Sequence, residues 1–224
     1  MSSLDTWDFD GWSSLIRDVG TWSELNFGHS DVPVTPMVYD DGEDLVPVNL
    51  LDLSVMVPSR AEGRYTGPTA SLGALAPILG LVEEIGEFSR ARTQDDTLDA
   101  VGDVVIYMSD AMHRMRFSPG ELMTFLDIAE GIEWPGWATV GSRLSQAVGR
   151  VCHVVLKRAQ RIRDMHIETK YRTDLVYAFA ELASAVNHAA ETHSKDENDR
   201  NPAPAWTVGR EVFDGIVAKR NWRK

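Results

Sequence analysis

From Ser71 onward, apolar residues recur at spacings of three and four, with Leu72, Leu75, Leu79, Val82 and Ile85 on one stripe and the charges on the other side. That periodicity predicts a helix ending near Arg90 to Arg92, with Pro77 in an early turn or at a kink. Thr93-Gln94-Asp95-Asp96 offers an Asp or Thr to cap the next helix, whose stripe of Leu98, Val101, Val105, Met108 and Met112 runs to about Arg116. Ser118-Pro119-Gly120-Glu121 has the spacing of a capping box with proline at the first helical position, and opens a short helix closed near Gly131. After the break at Trp134-Pro135-Gly136-Trp137 come two long helices, Thr139 to Met165 and Thr173 to Thr192. A polar linker from His193 to Pro204 leads to a last helix from Trp206 to about Asn221.

The first part of the chain reads differently. Trp12, Leu15, Ile16 and Val19 fall at helical spacing, so a short helix is predicted there, while Asn26 to Pro47 reads as loop. Residues 1–47 are acidic and tryptophan-studded, a compositional appendage to a catalytic domain spanning 48–224. Val48 to Val57 fits a helix or a buried strand equally well, and Pro58 to Pro68 is turn-rich. Strand signals are scarce, so the expected fold is all-α, an antiparallel helical bundle. A degenerate repeat is also legible: Leu98–Val104 aligns over Val176–Leu182 and Phe88–Ala91 over Leu156–Ala159, with the second half, 138–193, stripped of most acids.

Composition narrows the function. The 224 residues are 43% hydrophobic, enough to bury a real core, and a net charge of -12 argues against nucleic acid as the main partner. No segment approaches the roughly twenty consecutive apolar residues of a membrane span, and the start lacks a secretory leader, so a soluble cytoplasmic protein is expected. Cys152 is the single cysteine, which excludes an intramolecular disulfide and a cysteine-based metal knuckle.

The candidate chemistry lies in Glu83-Glu84-Ile85-Gly86-Glu87 and Asp99-Ala100-Val101-Gly102-Asp103. Glu83 and Glu84 share a helix face with Glu87, and Asp99 and Asp103 sit one turn apart on the next, antiparallel helix. Converging carboxylates repel, and divalent cations relieve the repulsion; an all-oxygen donor set points to magnesium or manganese rather than zinc. Gly86 and Gly102 each cost a helix about 1 kcal/mol relative to alanine, which close helix approach or ligand access would offset. Asp110 lies near the same face as Asp103 and is a candidate for the same shell. With His113 it also forms an acid-x-x-His spacing, the basis of a di-iron carboxylate alternative. Arg143, Arg150, Lys157 and Arg161 form a basic stripe, the basis of a non-catalytic interaction-module alternative. The tryptophans Trp7, Trp12, Trp22, Trp134 and Trp137 are candidates for stacking a base.

Gly80-Leu81-Val82-Glu83-Glu84-Ile85-Gly86-Glu87 followed by Asp99-Ala100-Val101-Gly102-Asp103-Val104-Val105 resembles the paired motifs of the MazG-like, all-α nucleoside triphosphate pyrophosphohydrolases, in particular phage-type members, over about Leu72 to Met115. The resemblance implies magnesium-dependent cleavage of a nucleoside triphosphate to the monophosphate and pyrophosphate, on a deoxynucleotide, in a homodimer or homotetramer. Carried over by motif position, Glu84, Glu87 and Asp103 are implied metal ligands with Glu83 beside them. The family's second motif has Glu where this chain has Ala100, and Asp99 is the natural substitute. Val217-Ala218-Lys219-Arg220-Asn221-Trp222 is similar to the basic, aromatic ending of such members, which implies that Lys219 and Arg220 help hold the triphosphate.

Overall fold

The computed structural model describes residues 6–27, 75–160, 167–194 and 202–219, together with four two-residue strands between the first two stretches. Among the described residues the fold is all-α. Seven helices carry it: α1 (Phe9–Phe27), α2 (Leu75–Arg90), α3 (Gln94–Arg114), α4 (Pro119–Glu130), α5 (Val140–Ala159), α6 (Glu168–His193) and α7 (Ala205–Lys219). The strands form two antiparallel ladders, Val38–Tyr39 with Val46–Pro47 and Arg60–Ala61 with Arg64–Tyr65. No described helix is long and apolar enough to cross a membrane.

Local sequence rules place most of the helix ends. Thr93 caps α3 with a complete capping box, its hydroxyl accepting from Asp96 N while the Asp96 carboxylate accepts from Thr93 N. Ser118 and Glu121 do the same for α4, with Pro119 at its start. Thr139 caps α5 through Ser142 N. Pro77 sits in the first turn of α2, where its missing N–H has no helical partner to lose. α6 begins at Glu168, earlier than the expected Thr173, because its first turns gain ion pairs: Arg158 Nη2 lies 2.6 Å from Glu168 Oε2, and Lys170 Nζ lies 2.8 Å from Asp174 Oδ2.

α3 is the central element, packed against α1, α2, α6 and α7. Val101, Val104, Val105, Met108, Ala111 and Met112 are buried, so the stripe expected on this helix widens into almost complete enclosure. α2 and α3 form one helix pair and α5 and α6 another, with α2 against α5 and α3 against α6. Where the aligned segments of α3 and α6 overlap, Ala100, Val101, Gly102 and Val104 are buried like Ala178, Phe179, Ala180 and Leu182, while Asp99 and Tyr177 are both exposed.

Tertiary packing sets two features that the pattern along the chain leaves open. α1 packs into the core: Trp12 and Leu15 are fully buried, Trp12 meets Phe125 edge-on with centroids 5.8 Å apart, and Trp22 meets Phe213 at 5.9 Å. Of the acids on α1 itself, Asp10 is exposed and Asp18 and Glu24 are half-buried, while the helix's apolar face completes the core. On α2 the inward face is also rotated from the expected one. Ile78, Leu81 and Glu84 point in, whereas Leu79 and Val82 are about half exposed. Both faces of α2 carry apolar residues at helical spacing, so periodicity did not distinguish them; close packing did, since a side chain at Gly80 would collide with Tyr107. Leu72 and the segment Val48 to Val57 lie outside the described residues.

Arg172 ties three elements together. Its Nε and Nη2 donate to Glu121 Oε1 and Oε2, both at 2.6 Å, and its Nη1 donates to Met115 O at 2.7 Å. The guanidinium also lies 5.1 Å from the Phe117 ring. The pairing with Arg172 holds Glu121 down to a pKa of about 2. A folded pKa below the unfolded value contributes stability above the ordinary carboxylate range and loses it as pH falls toward 2. Arg172→Met is expected to lower stability at pH 7 by roughly 2–4 kcal/mol, with the gap from the parent narrowing below pH 4, as read by chemical denaturation across pH.

Glycines decide how closely α7 approaches α3. A β-carbon at Gly102 would collide with Val212, and one at Gly209 would collide with Val105, so each helix seats a valine against the other's glycine. Gly86 has only the Arg90 guanidinium nearby, at 3.9 Å. Close approach therefore explains Gly102 and not Gly86. Gly102→Ala is expected to destabilise by about 1–3 kcal/mol through overpacking, whereas Gly86→Ala stabilises by up to about 1 kcal/mol; thermal unfolding of the two variants checks the opposite signs.

Candidate functional site

The turn between α2 and α3 folds the two acidic motifs against each other. Glu84, in the middle of α2, points into the bundle with only 6% of its surface exposed, and its Oε2 is buried without a hydrogen-bond partner. Such an atom is costly in a folded core unless something satisfies it. Burial pushes the Glu84 carboxyl up to about 8, and the negative charges of Asp103, Glu87, Glu83 and Asp99, in that order, push in the same direction. Those are the four other acids of the two motifs. They gather around Glu84 from both helices, with Glu83, Glu87 and Asp99 exposed and Asp103 half-buried.

Among the described residues, no group of three or more His, Cys, Asp or Glu side chains stands in a metal-holding arrangement. The residues present nevertheless suit a hard divalent cation, because the donors are carboxylates throughout and the buried Glu84 oxygen lacks a partner. The site's second wall comes from α7. A groove of about 400 Å³ runs between Asp99 and Asp103 on one side and Glu211, Gly215 and Lys219 on the other. Lys219 thus lines the same groove as two of the motif acids, while Arg220 lies outside the described residues. Glu211 was missed by sequence reading. Glu211, Gly215 and Lys219 recur at intervals of four on α7, the one pattern that marks their common face.

Asp110 is not brought to this cluster. It is buried, its Oδ1 accepts from Arg114 Nε at 2.9 Å and its Oδ2 from Ser23 Oγ at 2.9 Å, and Arg114 Nη2 donates to Ser23 Oγ at 2.6 Å. Burial raises its pKa while Arg114 and Ser23 oppose the rise. Asp110 locks α1 to α3. His113 turns the same way, with Nε2 3.2 Å from Glu24 Oε1. Contacts with α1 therefore engage both members of the acid-x-x-His pair.

The remaining candidates are mostly structural. Arg143 donates to Ala138 O at 3.1 Å and lies 5.8 Å from the Trp134 ring, and Lys157 donates to Gln160 Oε1 at 3.4 Å, so the basic stripe is partly engaged; Arg161 lies outside the described residues. Trp12 is core, Trp134 donates to Ser184 Oγ at 3.1 Å, and Trp137 is 82% exposed. Burial pushes the Cys152 thiol up, the opposite of what a nucleophile needs. No protein-family model matches this chain, and neither does any curated protein or solved structure.

Glu84 has a pH signature. Its folded pKa lies above the unfolded value of 4.5, so the folded state binds the extra proton between pH 4.5 and 8 and stability falls as pH rises through that window. In chelator-treated protein, Glu84→Gln is expected to match the parent near pH 4 and to exceed it by several kcal/mol above pH 8, as read by denaturation at both pH values. Equal stability of the two proteins at pH 9 would mean that Glu84 is relieved within the fold itself.

Proposed function

We propose that this protein is a magnesium-dependent nucleoside triphosphate pyrophosphohydrolase with a MazG-type bundle, cleaving a deoxynucleoside triphosphate to the monophosphate and pyrophosphate. The single observation that carries the reading is Glu84: a buried, unpartnered carboxylate oxygen ringed by Glu83, Glu87, Asp99 and Asp103. A fold does not keep such an arrangement cheaply, and strongly raised carboxyl pKa values gather at functional sites. The order of the acids, EExxE on one helix and an acidic pair on the next, supplies the reaction class.

Glu84, Glu87, Asp99 and Asp103 are the residues that would hold magnesium, with manganese as its substitute. When bound, the cation would neutralise the phosphate oxygens and the developing charge on the leaving group. Glu83, exposed beside Glu84, accepts a proton from the water directed at the α-phosphorus. Lys219, across the groove from Asp99 and Asp103, balances the triphosphate charge. The half-exposed Leu79 and Val82 on the outer face of α2 favour a homo-oligomer, in which such residues are covered.

Incubating the protein with a panel of deoxynucleoside and ribonucleoside triphosphates and magnesium, and resolving products by phosphorus NMR, tests the reading. Pyrophosphate with the monophosphate is expected, and orthophosphate with the diphosphate would refute the cleavage position. Glu87→Gln is expected to lower kcat by at least about a hundredfold while the fold persists, and Lys219→Gln to raise KM more than it lowers kcat. Chelator removes activity and added magnesium or manganese restores it.

A further inference from the structure

Three mid-helix glycines of this bundle seat side chains of neighbouring helices. A β-carbon at Gly80 would collide with Tyr107, one at Gly102 with Val212 and one at Gly209 with Val105. Gly86 meets only the Arg90 guanidinium, and Gly215 lines the acidic groove. Gly149, in the middle of α5, has no such neighbour: among the described residues nothing stands within 4 Å of the position its β-carbon would take. Glycine weakens a helix interior, and no contact within the described chain requires it there.

The surface around Gly149 is shared with α2. Gly141, at the start of α5, lies against Phe88 near the end of α2, so these two packed helices run antiparallel. Gly141, Ser145, Gly149, Cys152 and Leu156 recur at intervals of three and four and form the side of α5 that borders α2. Leu79 and Val82 stand on the outer side of α2, and these two and Leu156 are each about half exposed. At 1.5 Å per residue, Leu79 lies about 13 Å back from Phe88 and Gly149 about 12 Å on from Gly141. The leucine and the open glycine are therefore level with each other on adjacent helices.

The two helices are also opposite in charge. α2 carries Glu83, Glu84 and Glu87 against Arg90 alone, whereas α5 carries Arg143, Arg150, Lys157 and Arg158 and no acid. A two-fold axis running along the helices lays the α2 of each copy over the α5 of the other. Leu79 of each copy then meets Gly149 of the other at the same level, and an acidic helix covers a basic one on both sides of the axis.

We propose that the outer face of α2 and α5 is an isologous interface with a second copy of this chain, in which Leu79 enters the recess at Gly149 of the other copy. Val82 and Leu156 are covered beside that contact. The interface specifies the homo-oligomer of the functional reading and rests on that part of it, not on the cleavage chemistry.

Sedimentation velocity of the full-length protein, in chelator and without nucleotide, reads the mass directly. At micromolar concentration the parent is expected to sediment as two chains. Gly149→Gln fills the recess, favours the helix and meets no described neighbour in its own chain. It should raise the dimer dissociation constant at least about tenfold with helicity by circular dichroism unchanged. Leu79→Lys, at a residue already half exposed, sets a cation against the basic α5 and should act similarly; it is the deciding variant if Gly149→Gln disturbs folding. Met123→Lys, at a similarly exposed residue on α4, should leave the mass unchanged. A monomeric parent, a dimer indifferent to both interface variants, or a dimer equally dissolved by Met123→Lys would each overturn the assignment. Product release is assayed separately, so a monomeric parent that forms pyrophosphate keeps the cleavage chemistry and loses only this interface.

Discussion

The close approach of α7 to α3 is the contact on which the acidic groove and much of the core depend. A β-carbon at either Gly102 or Gly209 would collide with the valine seated against it, Val212 or Val105, so these two glycines permit the observed approach. With α7 in that position, Phe213 reaches Trp22 of α1, and Glu211 and Lys219 come to face Asp99 and Asp103. Gly102 lies one residue before Asp103, so the residue that admits the second wall of the groove is covalently next to the acid that lines it. Helix stability given up at Gly102 is recovered as packing.

Electrostatics then divides α3 into two ends with different uses. Near its start, carboxylates from two helices surround a buried glutamate that has no cation beside it among the described residues, and the carboxyl is pushed up to about 8. Near its end, acids are matched: buried Asp110 by Arg114 and Ser23, half-buried Glu121 by Arg172. Burial raises the pKa of Asp110 while its partners pull it back, and Glu121, with Arg172 dominant, is held low. The same residue type in the same bundle therefore has a lowered or restrained pKa where a guanidinium answers it and a strongly raised one where, among the described residues, none does.

Much of this was legible along the chain. The existence of the helices of the second half, a cap ahead of α3, the capping box at Ser118, the break at Trp134–Trp137 and the four acids around Glu84 follow from local rules, since capping, turn formation and i, i+4 neighbourhood act over a few residues. Long-range choices were not legible. The inward face of α2 could not be read because both faces carry apolar residues at helical spacing. The register of Asp110 on α3 makes it a candidate for the acidic shell, but Ser23, 87 positions away in sequence, and Arg114 engage it.

By itself the sequence determined an all-α chain and the adjacency of its two acidic motifs, because a short turn between two helices leaves the motif faces little choice but to meet. Only the tertiary structure decided that α1 belongs to the core, that Glu84 is the buried member of the cluster, and that α7 supplies the opposite wall of the groove. Those outcomes depend on which surfaces exclude water together, and exclusion of water is settled by contacts between residues far apart in the chain.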